Sequence, residues 1–434
     1  MIRRAAWVPP VLTALAVASF SSAIPAQDSP VSREEHEALR REVEALRKEL
    51  AEARKQRESH DEETDAALDE MGESLDSLEK DARNRTPGTA NFLLSGNATI
   101  SYFDRENDTS TFTAVFRPVF LWKLSDRLFL EAKPEIRLRS GTEEASFTLE
   151  YANVSYVVND WLTVGAGKFL VPFGMFPDRF YPGKLLEEPL VYQRGDTGIA
   201  PHSDVGAFAR GAFEMDFLGA GPYEANYAAW VSNGPVLRTR DPARAGTVDF
   251  GGAFRDVNDD KAVGGRLGFL PFPALEVGAS VQYAEVDPPG FEKTGQLLYG
   301  VDLQYYETFR RLRGSVEVRA EWVWSHVDHL TYDPTGVLGF GPLDFENDRN
   351  GGYVEVAYRP SLVDNRFLRD TEWIARYDRL EVPDDAPGPV DEQRLTVGLL
   401  YWVTATTSVR AGYIFSDAEG PDRDTFFLQT SVGF

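Results

Sequence analysis

Leu128-Phe-Leu-Glu-Ala-Lys-Pro-Glu-Ile-Arg-Leu-Arg139 changes character at every step from Leu130 onward. Leu128, Leu130, Ala132, Pro134, Ile136 and Leu138 fall on one face of an extended chain, and Glu131, Lys133, Glu135, Arg137 and Arg139 on the other. A strand points successive side chains to opposite sides, so this segment offers one wall to lipid and the other to water. Val277, Ala279, Val281 and Tyr283 repeat the pattern against Glu276, Gly278, Ser280 and Gln282. Val316, Val318, Ala320, Trp322 and Trp324 do so against Arg313, Ser315, Glu317, Arg319 and Glu321. A soluble sandwich also alternates, and the connections separate the two folds. Strands are read at 91–103, 111–124, 128–139, 146–157, 162–171, 204–215, 223–233, 261–270, 275–285, 297–305, 312–326, 351–359, 367–380, 393–403, 407–415 and 425–434. Every second connection is short, as at 125–127, 158–161, 271–274 and 404–406, and most of the others are long. Tight turns at one end and long loops at the other are what a membrane barrel requires, and a sandwich gives no reason for them. The pattern predicts an all-β, sixteen-stranded antiparallel transmembrane β-barrel over residues 89–434, with both ends of the barrel on the periplasmic side.

Composition narrows the remaining choices. The 434 residues include no Cys, which removes structural disulfides and thiolate metal sites. Lys and Arg number 45 against 69 Asp and Glu, a net charge of −24 that disfavours nucleic acid as a partner. No run beyond the N-terminus approaches the ~20 apolar residues of a spanning helix. Met1-Ile2-Arg3-Arg4, the apolar stretch that follows and the small residues up to Ala26 read as a signal peptide over 1–26, with cleavage after Ala23 or Ala26. Residues 33–85 turn to Glu, Arg, Lys, Ala and Leu. Leu39, Val43, Leu46, Leu50 and Ala53, then Leu68, Met71, Leu75, Leu78 and Ala82, form two seams separated by a four-residue stutter. The spacing predicts a periplasmic α-helical coiled coil before the barrel, hence an oligomer, with peptidoglycan as one partner it could reach.

The final strand, Thr425-Phe-Phe-Leu-Gln-Thr-Ser-Val-Gly-Phe434, ends on an aromatic residue and resembles the C-terminal signature of bacterial outer-membrane proteins. Further segments point the same way: Val164-Gly-Ala-Gly-Lys-Phe-Leu-Val-Pro-Phe-Gly174, Ser203-Asp-Val-Gly206, Tyr227-Ala-Ala-Trp-Val-Ser-Asn-Gly234, Asn258-Asp-Asp-Lys-Ala-Val-Gly-Gly-Arg-Leu-Gly268 and Glu372-Trp-Ile-Ala-Arg-Tyr-Asp378. In this order they resemble the phosphate-selective porin O and P family. The resemblance implies a homotrimeric outer-membrane porin surrounded by lipid, passing small hydrophilic solutes or anions such as phosphate, and it implies no cofactor. The chain departs from a phosphate collector in one respect, because residues 89–434 carry 32 basic and 50 acidic side chains. A second reading makes the barrel a structural anchor and the coiled coil a tether to the cell wall.

Strand parity places Glu131, Lys133, Glu135, Arg137, Arg139, Arg266, Arg313, Glu317, Arg319, Glu321, Arg376 and Arg410 on the inner wall, and over all inward candidates thirteen basic residues stand against eleven acidic ones, a near balance. The acidic excess then falls in outer loops, as at Asp344, Glu346, Asp348, Asp384 and Asp385. The long connection 172–201 holds Phe173, Met175, Phe176, Leu185, Leu190, Val191 and Tyr192, too many apolar side chains for a solvated loop. Folded into the lumen, it would present Asp178, Arg179, Lys184, Glu187, Glu188, Arg194 and Asp196 as a constriction, with Gly165 and Gly167 allowing close approach. His326-Val-Asp-His329 lacks a third ligand, and no metal site is expected there. No grouping of nucleophile, base and oxyanion donors is evident, so no enzyme is expected.

Overall fold

The computed structural model describes Glu37, Arg41, Glu44, Ala45, Arg47 and Lys48, then residues 91–138, 145–180, 183–185, 187–193, 198–216, 223–241, 243–250, 259–288, 293–332, 342–388, 390–418 and 424–434. The signal peptide and every seam residue of the expected coiled coil lie outside these. The six described residues between 37 and 48 are helical and exposed, with Glu37 and Arg41 paired at 3.7 Å one helical turn apart.

Alternation of apolar and polar residues becomes strands in β1 (Phe92–Arg105), β2 (Thr111–Lys123), β3 (Leu128–Leu138), β4 (Ala145–Asn159), β5 (Leu162–Leu170), β6 (Ser203–Met215) and β7 (Tyr223–Ser232). Two short strands follow, β8 (Val236–Leu237) and β9 (Val248–Asp249). The series resumes with β10 (Ala262–Phe272), β11 (Leu275–Glu285), β12 (Gly295–Phe309), β13 (Gly314–Val327), β14 (Asn347–Arg359), β15 (Thr371–Glu381), β16 (Glu392–Trp402), β17 (Thr407–Ala418) and β18 (Thr425–Gly433). Leaving aside β8 and β9, which pair only with each other, the strands form one closed antiparallel barrel of sixteen in sequence order. β1 meets β18 in a register running from Asn97 opposite Gly433 to Arg105 opposite Thr425. The last residue completes the seam: Phe434 and Gly96 exchange two backbone hydrogen bonds of 3.1 Å, and the Phe434 ring stacks on Phe116 at 5.6 Å. A terminal aromatic is thus both the last outward side chain and part of the barrel closure.

All sixteen sequence-read strands are present, with shifts at their ends. The strand expected from 367 starts at Thr371, because Asn365 caps a helical turn over Arg366–Arg369 by accepting the Leu368 N–H at 3.1 Å. Capping by Asn satisfies an orphan helix donor and holds the chain out of the sheet. The strand expected from 351 starts earlier, at Asn347, so part of an expected loop is ladder. Arg313, expected on the inner wall, stands instead in the turn between β12 and β13. There its φ of +53° reverses the chain, and its side chain reaches Asp364 at 3.1 Å.

Outward parity produces the membrane surface. Ile100, Leu138, Leu267, Val263, Val301 and Val354 are exposed apolar residues, and aromatic side chains gather near both strand ends. Phe92, Trp161, Phe213, Phe272, Tyr306 and Trp373 stand toward the short turns, and Phe112, Phe147, Tyr283, Tyr377, Phe415 and Phe426 toward the long loops. Two aromatic girdles around an apolar band mark a barrel that spans a membrane, its short turns on the periplasmic side. Leu267 lies midway along β10 and is 69 % exposed. Leu267→Arg is expected to lower stability by about 2–4 kcal/mol, the cost of a guanidinium near the bilayer midplane. The same change at Leu124, in a short turn, should cost less than about 1 kcal/mol. Urea titration of the protein folded in vesicles, followed by heat-modifiable gel mobility, measures both; equal losses would contradict the placement of the band.

Candidate functional site

The connection 171–202 between β5 and β6 brings an apolar face against inward positions of the wall. Phe173, Phe176, Leu190, Val191, Tyr192 and Ile199 are buried with Phe208, Trp230, Leu298, Val323, Tyr353 and Leu380 of six strands. Leu298 faces inward because its neighbours Leu297 and Tyr299 are the exposed, outward pair. Desolvating this many apolar groups is what draws the connection out of water and onto the wall. At Gly165 the ring of Phe208 occupies the space of a side chain, 2.4 Å from where a Cβ would stand. That glycine therefore admits a wall aromatic, which packs on Phe169 at 5.0 Å.

Polar groups fix the position of the connection. Glu321 of β13 accepts hydrogen bonds from Tyr192 Oη at 2.6 Å, from Tyr353 Oη at 2.6 Å and from the Met175 N–H at 3.2 Å. Gly174 N–H donates to Ser280 Oγ at 3.0 Å. Gly174 has φ of +65°, and a Cβ there would lie 2.1 Å from Glu321 Oε2 and 2.2 Å from Tyr192 Oη, so any larger residue would strain the backbone and push this hydrogen-bonded pair apart. Burial, and next the Glu321 carboxylate, hold the Tyr192 hydroxyl well above the usual tyrosine range, which keeps it a donor.

Each described charged residue of the connection meets the wall. Asp178 accepts from Arg210 at 3.2 Å. Arg179 donates to Glu276 at 2.6 Å and to Asn226 at 3.2 Å. Lys184 bonds to Glu317 at 2.6 Å and also to Glu372. Glu187 pairs with Arg394 at 2.7 Å and Arg105 at 3.7 Å. The Glu188 carbonyl accepts from Arg394 at 3.1 Å and Arg376 at 3.4 Å. Arg194 and Asp196 lie outside the described residues. The segment thus touches strands from β1 around to β17, and most of its charges are neutralised where they stand.

The wall itself is a set of clusters. Arg266 binds Asp302 at 2.6 Å and Glu276 at 3.1 Å, and Arg376 binds Asp378 at 2.8 Å. Arg319 pairs with Glu317 at 2.5 Å and lies 3.7 Å over the Phe180 ring. On the opposite side one carboxylate serves two guanidiniums, Glu135 accepting from Arg117 at 2.6 Å and Arg137 at 2.8 Å. Arg410 donates only to the carbonyls of Gly183 and Lys184, at 3.2 and 2.8 Å, and has no carboxylate partner among the described residues. Lys133 is buried at 5 % exposure. Glu131 lines a cavity of about 120 Å³ with Tyr151, Asn153, Asp178 and Arg210. Arg139 lies outside the described residues. The outer loops add a second apolar core, in which Leu237, Val248, Val286, Leu330, Tyr332 and Phe345 are buried together. His326 and His329 each meet one aspartate there, Asp348 and Asp344, the latter at 2.6 Å.

Strand parity placed Ser280 on the polar face of its strand, and composition placed Tyr192 in the connection, but neither carried a bonding role, and Tyr353 and Asn226 were missed; these hydroxyls and this amide complete the bonding. Tyr353 shares its face with Glu355, and that shared parity was the available signal. Glu321→Leu removes the acceptor of three donors and is expected to cost about 2–4 kcal/mol, while Glu321→Gln keeps one acceptor and should cost less. Loss of stability should be accompanied by a change in single-channel conductance. Unchanged conductance in Glu321→Leu would show that this carboxylate does not hold the connection.

A scan against protein-family models finds no match, and a search of curated proteins finds none either. Solved structures do match. OmpF of Salmonella typhi, in complex with daunomycin, is 12 % identical with a TM-score of 0.50, over 79 % of this chain and 97 % of that one. OprB of Pseudomonas putida, in a high-pH structure, is 12 % identical with a TM-score of 0.50, over 79 % of this chain and 94 % of that one. At that identity the likeness is one of fold, and with the girdled apolar band it makes this chain a porin-like sixteen-stranded barrel of the bacterial outer membrane.

Proposed function

We propose that the barrel is a water-filled channel through which small hydrophilic solutes diffuse, with a modest preference for anions such as phosphate. The observation that carries the preference is an uneven lumen. The apolar side of the inward connection lies against β12 to β15, where acids and bases are matched or acids prevail. Across from it, β16, β17 and β1 to β3 present Arg394, Arg410, Arg105, Arg117, Lys133 and Arg137 against Glu131, Glu135, Glu392 and the connection's Glu187, so bases still outnumber acids there. A positive surface beside a narrow aqueous path favours anions and disfavours cations. Resemblance to the phosphate-selective porin O and P family agrees in sign. Asp178, Arg179, Lys184, Glu187 and Glu188 are proposed to line the narrowest level, held there by their partners on the wall.

The full chain in planar bilayers should give discrete conductance steps; their absence would favour the anchor-and-tether reading. Under a KCl gradient, Arg117→Gln with Arg137→Gln should move the zero-current potential toward the cation side. Arg238→Gln with Arg244→Gln, in an outer loop, should move it less, and equal shifts would remove the wall from the selectivity assignment. The seams of residues 33–85 and the resemblance support a homotrimer. A full-length protein that runs as a monomer in mild detergent would count against it.

A further inference from the structure

Positive charge is concentrated on one part of the short-turn rim. The turn after β12 and the connection from β14 to β15 lie side by side. Leu362 N–H donates to the Arg313 carbonyl at 3.0 Å, Tyr358 Oη to the Leu312 carbonyl at 2.6 Å, and the Ser315 and Ser361 hydroxyls meet at 3.0 Å. Thr371 Oγ1 closes the Asn365-capped helical turn on the Leu368 carbonyl at 2.6 Å. The two segments therefore make one fixed surface. It bears Arg310, Arg311, Arg313, Arg359, Arg366 and Arg369. Asp364 takes Arg313, and Asp370 takes Arg366 at 3.5 Å and Arg359 at 4.0 Å. Arg310, Arg311 and Arg369 are exposed and make no ion pair among the described residues. Among these arginines Leu312, Phe367 and Leu368 stand 52, 59 and 41 % exposed. Tyr306 and Trp373 of the aromatic girdle flank the same strand ends. By contrast, the turns at 160–161, 273–274 and 403–406 carry no basic residue.

Free guanidiniums and bare apolar side chains on one surface, next to an interfacial girdle, match a layer that offers phosphodiester oxygens and acyl chains together. An acidic protein segment would engage the arginines but leave Leu312, Phe367 and Leu368 wet. We propose that this surface docks anionic phospholipid headgroups of the periplasmic leaflet, with phosphodiester oxygens on Arg310, Arg311 and Arg369 and the first methylenes against Leu312, Phe367 and Leu368. The rest of a chain with net charge −24 repels such lipids, so a preference for them belongs to this patch.

The test is native mass spectrometry of the detergent-solubilised full chain titrated with phosphatidylglycerol or phosphatidylcholine of the same chain length. The unaltered protein should retain phosphatidylglycerol about threefold or more over phosphatidylcholine, and added salt should weaken the difference. Arg310→Gln with Arg311→Gln and Arg369→Gln should abolish the preference while heat-modifiability and conductance stay unchanged. Arg127→Gln, in another turn of the rim, should preserve it. Equal retention of the two lipids, an unaffected triple variant, or an Arg127→Gln loss as large as the triple variant's overturns the proposal. The chain has no cysteine, so Arg311→Cys can carry a photo-crosslinker at a single site. Crosslinking to lipid supports the assignment, and crosslinking to residues 33–85 would give the patch to the chain's own acidic segment and overturn it.

Discussion

Within hydrocarbon a backbone N–H or C=O has no water to bond, so each must find a partner in the protein. A sheet meets that demand only when it has no edge, and the rest of this structure follows from the seam between β1 and β18 that removes the last one. Once the ladder is closed, each strand position has an inside and an outside, and the choice of side chain at every second residue becomes a choice of solvent. The chain spends its apolar residues outward, where a soluble protein would place charge. It spends its charges inward, where a soluble protein would place a core.

Inward charges create a second constraint. A guanidinium or carboxylate crowded among side chains loses hydration and has to recover it from neighbours. Arg266 between Asp302 and Glu276, and Arg376 against Asp378, show neighbouring strands supplying those partners in register. Where the wall leaves a charge short, the connection between β5 and β6 supplies it: Glu187 for Arg394, Lys184 for Glu372, and backbone carbonyls for Arg410. Its apolar half is held by burial and its polar half by these pairs, so the same segment is anchored from two opposite walls. A connection held only at its apolar side would be free to hinge away, and one held only by ion pairs would loosen with salt.

Much of this was legible in the sequence because its period is two. The pattern in Leu128 to Leu138 reports directly which side each residue takes, and turn lengths fix the topology. Arg313 defeated the same reasoning because parity carries no information about where a strand stops. The residue continues the polar phase of β13, yet its φ of +53° places it in the turn. Asn365 misled in the same way, since a cap six residues upstream of β15 displaces the strand start without disturbing the hydrophobic count. The Glu321 cluster was out of reach for a different reason. It joins Met175, Tyr192 and Tyr353 across long sequence separations, and no local spacing encodes which carboxylate a tyrosine will meet.

The charge distribution along the membrane normal completes the picture. Acids dominate the outer loops and matched pairs fill most of the wall; among the described residues Arg410 on the β16 to β3 side of the lumen, and Arg310, Arg311 and Arg369 at the rim below β12 to β15, have no carboxylate partner. A net charge alone would predict a uniformly acidic, anion-repelling object. Coulomb interactions fall off within a Debye length of about 8 Å at physiological salt, so a solute inside the lumen senses the nearest guanidiniums far more than acids at the mouth. On the proposed reading, the sign that matters for permeation is local, set by Arg410 and by the single Glu135 shared between Arg117 and Arg137. Acidic loops and an arginine-lined path are compatible because screening separates them.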